Sequence, residues 1–202
     1  GVKRIFLTPH IADECKNNSP ELLQAKYSIL KECCPPDMEL YLAGEYMLDS
    51  GFDARKRGEI LTFPGKQILV ETSCSSAPER FLTFLFDLVL EGYKPVIAHP
   101  ELYRYMTQDD YYFLKDKGYK FQLNLFSLAG LYGKLSRTVA RNLLDKGFYD
   151  YVGSDFRRLG DYEKGLKKLY LSANRIRQVG ELFENNDSLW HSGSLPKQIY
   201  YL

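Results

Sequence analysis

Two of the chain's three histidines, His10 and His99, and the acids Glu45, Glu71 and Asp155 share one trait. Each stands at or just after the end of a short apolar run with the composition of a β-strand. The runs end in Thr8-Pro9-His10, Gly44-Glu45, Glu71-Thr72, His99-Pro100-Glu101 and Ser154-Asp155, and one more ends in the amide Asn124. Taken singly, a histidine after a strand reads as a hydrogen-bonding residue, and Glu45 or Asp155 as a helix cap. Their recurrence at equivalent places argues for a shared purpose. Imidazole nitrogens mixed with carboxylate oxygens suit Zn, Mn or Fe. Adjacent divalent ions lower the pKa of a bridging water, orient a phosphate and stabilise the leaving oxygen of an in-line displacement, so phosphate-ester hydrolysis is the reaction class such a cluster serves.

Those residues can meet only if the strands run side by side. Strands are predicted at Val2 to Thr8, Glu39 to Ala43, Gln67 to Glu71, Pro95 to Ala98, Lys120 to Asn124 and Tyr151 to Gly153. Helices are predicted between them, at Pro20 to Cys34 with Ser19 as N-cap, Pro78 to Glu91, Asp109 to Lys117, Ser136 to Lys146, and Tyr162 to Phe183 with a break near Leu171 to Asn174. Three helices end in the same punctuation, Glu91-Gly92, Lys117-Gly118 and Lys146-Gly147, where glycine supplies the left-handed residue that stops a helix. Alternating β and α elements give an α/β fold with a parallel sheet, whose strand C-termini open into one mouth. The first strand begins at Val2 without a turn or cap before it, so a preceding segment is expected.

Composition narrows the function classes. Lys and Arg number 27 against 26 Asp and Glu, a formal net charge of +1, so no global field selects nucleic acid or anionic lipid. Lys164, Lys167 and Lys168, and Arg137 with Arg141, read as solvated helix faces. Cys15, Cys33, Cys34 and Cys74 lack zinc-knuckle or disulfide-framework spacing and read as reduced thiols of a cytoplasmic protein. Cys74 has an arginine six positions on, at Arg80, but the intervening residues contain no glycine to wrap a phosphate. No apolar run reaches the roughly 20 residues of a membrane-spanning helix. The 16 Tyr and 12 Phe read as core rather than as a binding platform, and His191 as exposed.

Six short segments, in order, carry a family resemblance: TPHI at Thr8 to Ile11, GEY at Gly44 to Tyr46, VETS at Val70 to Ser73, PVIAHPE at Pro95 to Glu101, QLNLFSLAGLYG at Gln122 to Gly133 and YVGSD at Tyr151 to Asp155. The chain resembles the polymerase-and-histidinol-phosphatase (PHP) type tyrosine phosphatases of capsule and exopolysaccharide biosynthesis, over about Val2 to Leu189. The resemblance implies a distorted (β/α) TIM-like barrel of the PHP type over residues 1–187, lacking its first βα unit, with a C-terminal tail at 188–202. It implies divalent metals held by His10, Glu45, Glu71, His99 and Asp155. It also implies, as partner, the phosphotyrosine tail of a bacterial tyrosine kinase, with homo-oligomerisation compatible.

The chain departs from the family pattern in three places. The family's opening H-x-H strand has no counterpart here. Its closing D-x-H reads Asp155-Phe156-Arg157, which puts a cation where an imidazole would stand, one suited to bidentate phosphate binding but not to coordination. Its H-P-E-R reads His99-Pro100-Glu101-Leu102, leaving Arg104 as a substitute. Arg104, Arg157 and Arg158 are therefore the candidate phosphate-steering residues. Two alternatives stand beside the phosphatase: a non-catalytic binding or regulatory module in polysaccharide biosynthesis, and a phosphatase of a small metabolite such as histidinol phosphate.

Overall fold

The computed structural model describes residues 2–191. Strand β1 (Arg4–Leu7) pairs in parallel with β3 (Glu39–Leu42), while β2 (His10–Ile11), β4 (Glu45–Met47), β5 (Gln67–Glu71), β6 (Lys94–Ala98), β7 (Lys120–Asn124) and β8 (Tyr151–Gly153) form a six-stranded parallel sheet in chain order. Helices α1 (Pro20–Glu32), α2 (Phe52–Arg55), α3 (Phe81–Leu90), α4 (Gln108–Asp116), α5 (Lys134–Asp145), α6 (Leu159–Lys168) and α7 (Ala173–His191) complete the chain. The sheet curls, bringing Tyr151 of β8 across to β5, where its hydroxyl donates to Gln67 Oε1 at 2.7 Å.

The two sheets are one strand pair interrupted. Pro9 has no N–H to continue the ladder, though its carbonyl still accepts from Glu45 N at 3.0 Å. On the partner strand, Gly44 diverts its own N–H to Leu61 O. A side chain at 44 would meet Ile11 Cδ1 at 2.5 Å, so the close approach requires glycine. The predicted ends at Thr8 and Ala43 are thus pauses, and His10 and Glu45 lie inside resumed strands, paired in register. The repeated helix-stop glycines Gly92, Gly118 and Gly147 all have positive φ, as their positions require. The predicted helix break falls between α6 and α7, and α7 continues beyond Phe183 to His191. Of the predicted 188–202 tail, the first four residues belong to α7, and the rest lie outside the described residues.

Every residue of β5 is buried, as expected of a central parallel strand covered on both faces. Alternation sends Ile68, Val70 and Ile97 to the main cluster under the helices, with Phe84, Leu85 and Leu88 of α3. It sends Leu69, Val96 and Ala98 to a smaller cluster inside the curl, with Phe63 and Tyr151. Full burial of each Val, Leu, Ile or Phe side chain among them contributes about 1.5–3 kcal/mol. The edge of β8 is covered by α7. Asn186 Nδ2 donates to Val152 O at 2.6 Å and its Oδ1 accepts from Val152 N at 3.2 Å, so one amide side chain pairs the strand as a neighbouring backbone would. Trp190 packs edge-on against Phe6 and Tyr41, and Arg4 binds Asp187, fastening the end of α7 to the first strand.

Candidate metal centre

Four of the candidate ligands interlock. His10 Nε2 lies 3.2 Å from Glu45 Oε2, His10 Nδ1 3.0 Å from Glu71 Oε1, and His99 Nε2 3.1 Å from Glu45 Oε1 and 3.6 Å from Glu71 Oε2. Glu45, Glu71 and His99 are buried, and His10 is half-buried at the rim. Adjacent parallel strands set this meeting: His10 of β2 pairs in register with Glu45 of β4, Glu71 ends β5 beside Met47, and His99 follows β6 directly. Asp155 follows β8 and joins from the far side. Ligand atoms of His10, Glu45 and Asp155 fall within 4.8 Å of one another, as do those of Glu45, Glu71 and His99. Glu45 belongs to both sets.

Backbone strain marks the same residues. His99 (φ 32°) and Asp155 (φ 44°) occupy the left-handed region without being glycine, a conformation the surrounding structure must enforce. Asp155 is held by Asn124, whose Nδ2 donates to Asp155 Oδ2 at 2.9 Å, while Asn124 Oδ1 accepts from Phe126 N at 3.0 Å. The second contact fixes which end of the amide faces Asp155. Glu101, fully buried, accepts from Asn124 N at 3.0 Å and from the Tyr149 hydroxyl at 2.9 Å, so it braces the cluster from below rather than joining it.

The electrostatics reflect carboxylates crowded around two imidazoles. Hydrogen bonds to Glu45 and Glu71 push His10 up to about 10, against the opposing effect of burial. Burial alone would lower His99, yet Glu45 and the nearby acids outweigh it and raise the ring to about 9. For Glu45 burial pulls upward, but hydrogen bonds from both histidines prevail and lower it. Burial raises Asp155 and Glu101.

The donor set fits a divalent cation. It joins two imidazoles to three carboxylates in a pocket where His99 Nδ1 is buried without a hydrogen-bond partner. Mixed nitrogen and oxygen donors of this kind suit Zn, Mn or Fe.

Of the three candidate arginines, the structure brings Arg157 to the cluster. Its Nη2 lies 2.8 Å from His10 Nε2 and 3.3 Å from Nδ1. The lone-pair directions of the two ring nitrogens diverge, so one donor close to both leans on the ring between them. The ring nitrogens stay turned toward Glu45 and Glu71. The Arg104 side chain is exposed, and its backbone N–H donates to Cys74 O at 2.9 Å. Arg158 is exposed at the start of α6. Sequence reasoning gave no role to Tyr132, whose hydroxyl stands 3.5 Å from both the carbonyl and the carboxylate of Asp155. Its position in a turn before α5 carries no periodic signal. His10, Glu45, Asp155 and Arg157 face a cavity of about 1010 Å³ that extends down between the edges of β1 and β8.

Fold and site together define a class: an α/β chain whose parallel strands and the turns after them gather a nitrogen- and oxygen-donor cluster suited to metal. The family model for capsular polysaccharide synthesis, CpsB/CapC, matches residues 1–177, and the chain belongs to that family. It is 31% identical over 166 residues to the tyrosine-protein phosphatase YwqE of Bacillus subtilis (strain 168), a match covering 77% of this chain and 64% of YwqE. The chain thus spans just under two thirds of that relative. It is 25% identical over 201 residues to the putative tyrosine-protein phosphatase CapC of Staphylococcus aureus, covering 96% of this chain and 77% of CapC. Among solved structures, it is similar to one from the work on YwqE of Bacillus subtilis and CpsB of Streptococcus pneumoniae, described as unique metal-dependent tyrosine phosphatases. The TM-score is 0.71 at 25% identity, with 96% of this chain and 82% of that one covered.

Proposed function

We propose that the chain is a metal-dependent phosphoesterase acting on phosphotyrosine, with His10, Glu45, Glu71, His99 and Asp155 as the metal ligands. The observation that carries the reading is Glu45, one buried carboxylate shared by two overlapping ligand groups. Bound divalent ions would supply a hydroxide nucleophile near neutral pH and charge to offset that of the phosphate. Glu45 would hold the two groups in fixed relation, one oxygen to each histidine. Asn124 would keep Asp155 Oδ2 occupied and Oδ1 free to ligate. Arg157, at the rim over His10, would grip a phosphate oxygen, with Arg104 and Arg158 on the approach, and the Tyr132 hydroxyl would stand beside Asp155 as a proton donor to the incoming ester.

The relatives' names point to phosphotyrosine as substrate, and the partner that follows is the tyrosine-bearing tail of a bacterial kinase in capsule synthesis, met in the cytoplasm. The curled parallel sheet supports a distorted TIM-like barrel of the PHP type as the parent architecture. Among the described residues no helix is long and apolar enough to cross a membrane.

The test is hydrolysis of a tyrosine-phosphorylated peptide and of p-nitrophenyl phosphate by the full-length protein after chelation and reloading with Mn, Fe or Zn. Turnover restored by metal and lost in His99→Ala is expected. No turnover with any of the three would overturn the assignment. One observation favours the non-catalytic alternative: Arg157 leans on the rim histidine, where a positive group opposes a nearby ion. Phosphopeptide binding that ignores chelator, without turnover, would establish that alternative.

A further inference from the structure

Helix α3 is apolar on its inner face and over most of its outer face, Thr83 and Asp87 being its polar residues. Phe81, Phe84, Leu85 and Leu88 are buried in the main cluster, yet Leu82, Phe86, Val89 and Leu90 are 49%, 57%, 47% and 69% exposed. The exposed four fall at spacings of four, three and one, so they form one continuous stripe on the outer face. A surface helix ordinarily carries polar residues there.

From this face we infer that the chain forms a two-fold symmetric dimer through α3, packed antiparallel against α3 of a second copy. The stripe's own layout carries the choice of occupant. Phe86 stands halfway between Leu82 and Leu90, so a two-fold axis at Phe86 sets Phe86 on its own copy and Leu82 on the partner's Leu90. The same axis falls within a residue of halfway between Arg80 and Glu91, which brings the basic start of one helix to the acidic end of the other at both rims. A two-fold interface must be self-complementary: Leu82, Phe86 and Leu90 satisfy that demand along the stripe and Arg80 with Glu91 at its rims, while Val89 falls on the partner's Thr83. Arg80 and Glu91 are available for it, with half and somewhat under half of their side chains exposed while they pair with Asp53 and Lys56 of the α2 region. Exposed ion pairs of this kind set register more than affinity. Stable dimers bury roughly 800 Å² per partner, so residues flanking the stripe must join its rim.

The inference is independent of the phosphatase reading, and so is its test. Light scattering on the eluting full-length protein across a concentration series should give twice the chain mass, and Phe86→Arg should give the monomer mass with unchanged circular dichroism and metal content. Arg80→Glu should weaken the dimer by roughly two- to tenfold, and Arg80→Glu with Glu91→Arg should restore it. Phe86→Cys should form a disulfide-linked dimer on mild oxidation, above the background set by exposed Cys33 and Cys74 in the unsubstituted chain. A monomer at tens of micromolar, a dimer that survives Phe86→Arg, or cross-linking no greater than background would overturn the inference.

Discussion

Glu45 divides its carboxylate between the two site histidines, with Oε2 3.2 Å from His10 and Oε1 3.1 Å from His99. Glu45 belongs to both ligand groups, so Glu45→Gln should damage both at once. Altering groups that merely support a metal site costs about 10- to 100-fold, so loss of a shared ligand should exceed a hundredfold in metal affinity and in phosphatase rate. Elemental analysis and calorimetric titration with Mn check this, and an unchanged metal content would contradict it.

The pH response follows from the same contacts. In the metal-free protein His10 titrates at about 10 and His99 at about 9, against about 6.5 for an unfolded histidine. Their contribution is therefore fully present below about pH 6.5 and is lost as pH rises through 9 to 10. Glu45 is lowered, so its contribution is present above the ordinary carboxylate range and lost on acidification. The chelated protein should show a Tm that falls steadily from pH 7 to pH 10. Metal competes with protons for the same atoms, so its apparent affinity should rise over that interval and binding should release protons. Melting curves in chelator and calorimetry in buffers of different ionisation enthalpy measure the two.

The phosphate-binding role proposed for Arg157 would separate substrate recognition from metal retention. Charge-assisted hydrogen bonds contribute about 1.5–3 kcal/mol, so Arg157→Ala should raise KM for a phosphopeptide by roughly 10- to 150-fold with metal content preserved. Arg104→Ala and Arg158→Ala, whose side chains are exposed, should change KM less. Steady-state kinetics on the three variants distinguish them.

Asn124→Ala removes the donor to Asp155 and strips the acceptor from Phe126 N. Leaving a buried N–H unpaired costs about 1–3 kcal/mol. Chemical denaturation should show that loss, together with a roughly 10- to 100-fold weaker metal affinity. A stability loss with full metal affinity would assign Asn124 to the fold alone.

Gly165 sits on the face of Phe126, where an added Cβ would lie 2.5 Å from the ring. Phe126 is buried and cannot easily retreat. Gly165→Ala should therefore destabilise by about 1–3 kcal/mol despite the better helix propensity of alanine, as read from urea melts.

The local pattern sufficed for what depends on near neighbours. Strand runs such as Gln67 to Glu71 and the glycine stops at Gly92, Gly118 and Gly147 were legible in the sequence because β-propensity, periodicity and helix termination are short-range properties. The five ligand candidates were legible for the same reason, as residues at the ends of such runs. Tertiary structure alone decided the rest. Strands β2 and β4 hold their ligands because Pro9 and Gly44 interrupt a pair whose partners lie more than thirty residues apart. Whether an arginine reaches the cluster depends on the curl that carries β8 round to β2, across 147 residues of chain. The orientation of Asn124 and the buried support from Glu101 arise from contacts made after the sheet has closed on itself, and a one-dimensional pattern carries no record of such distances.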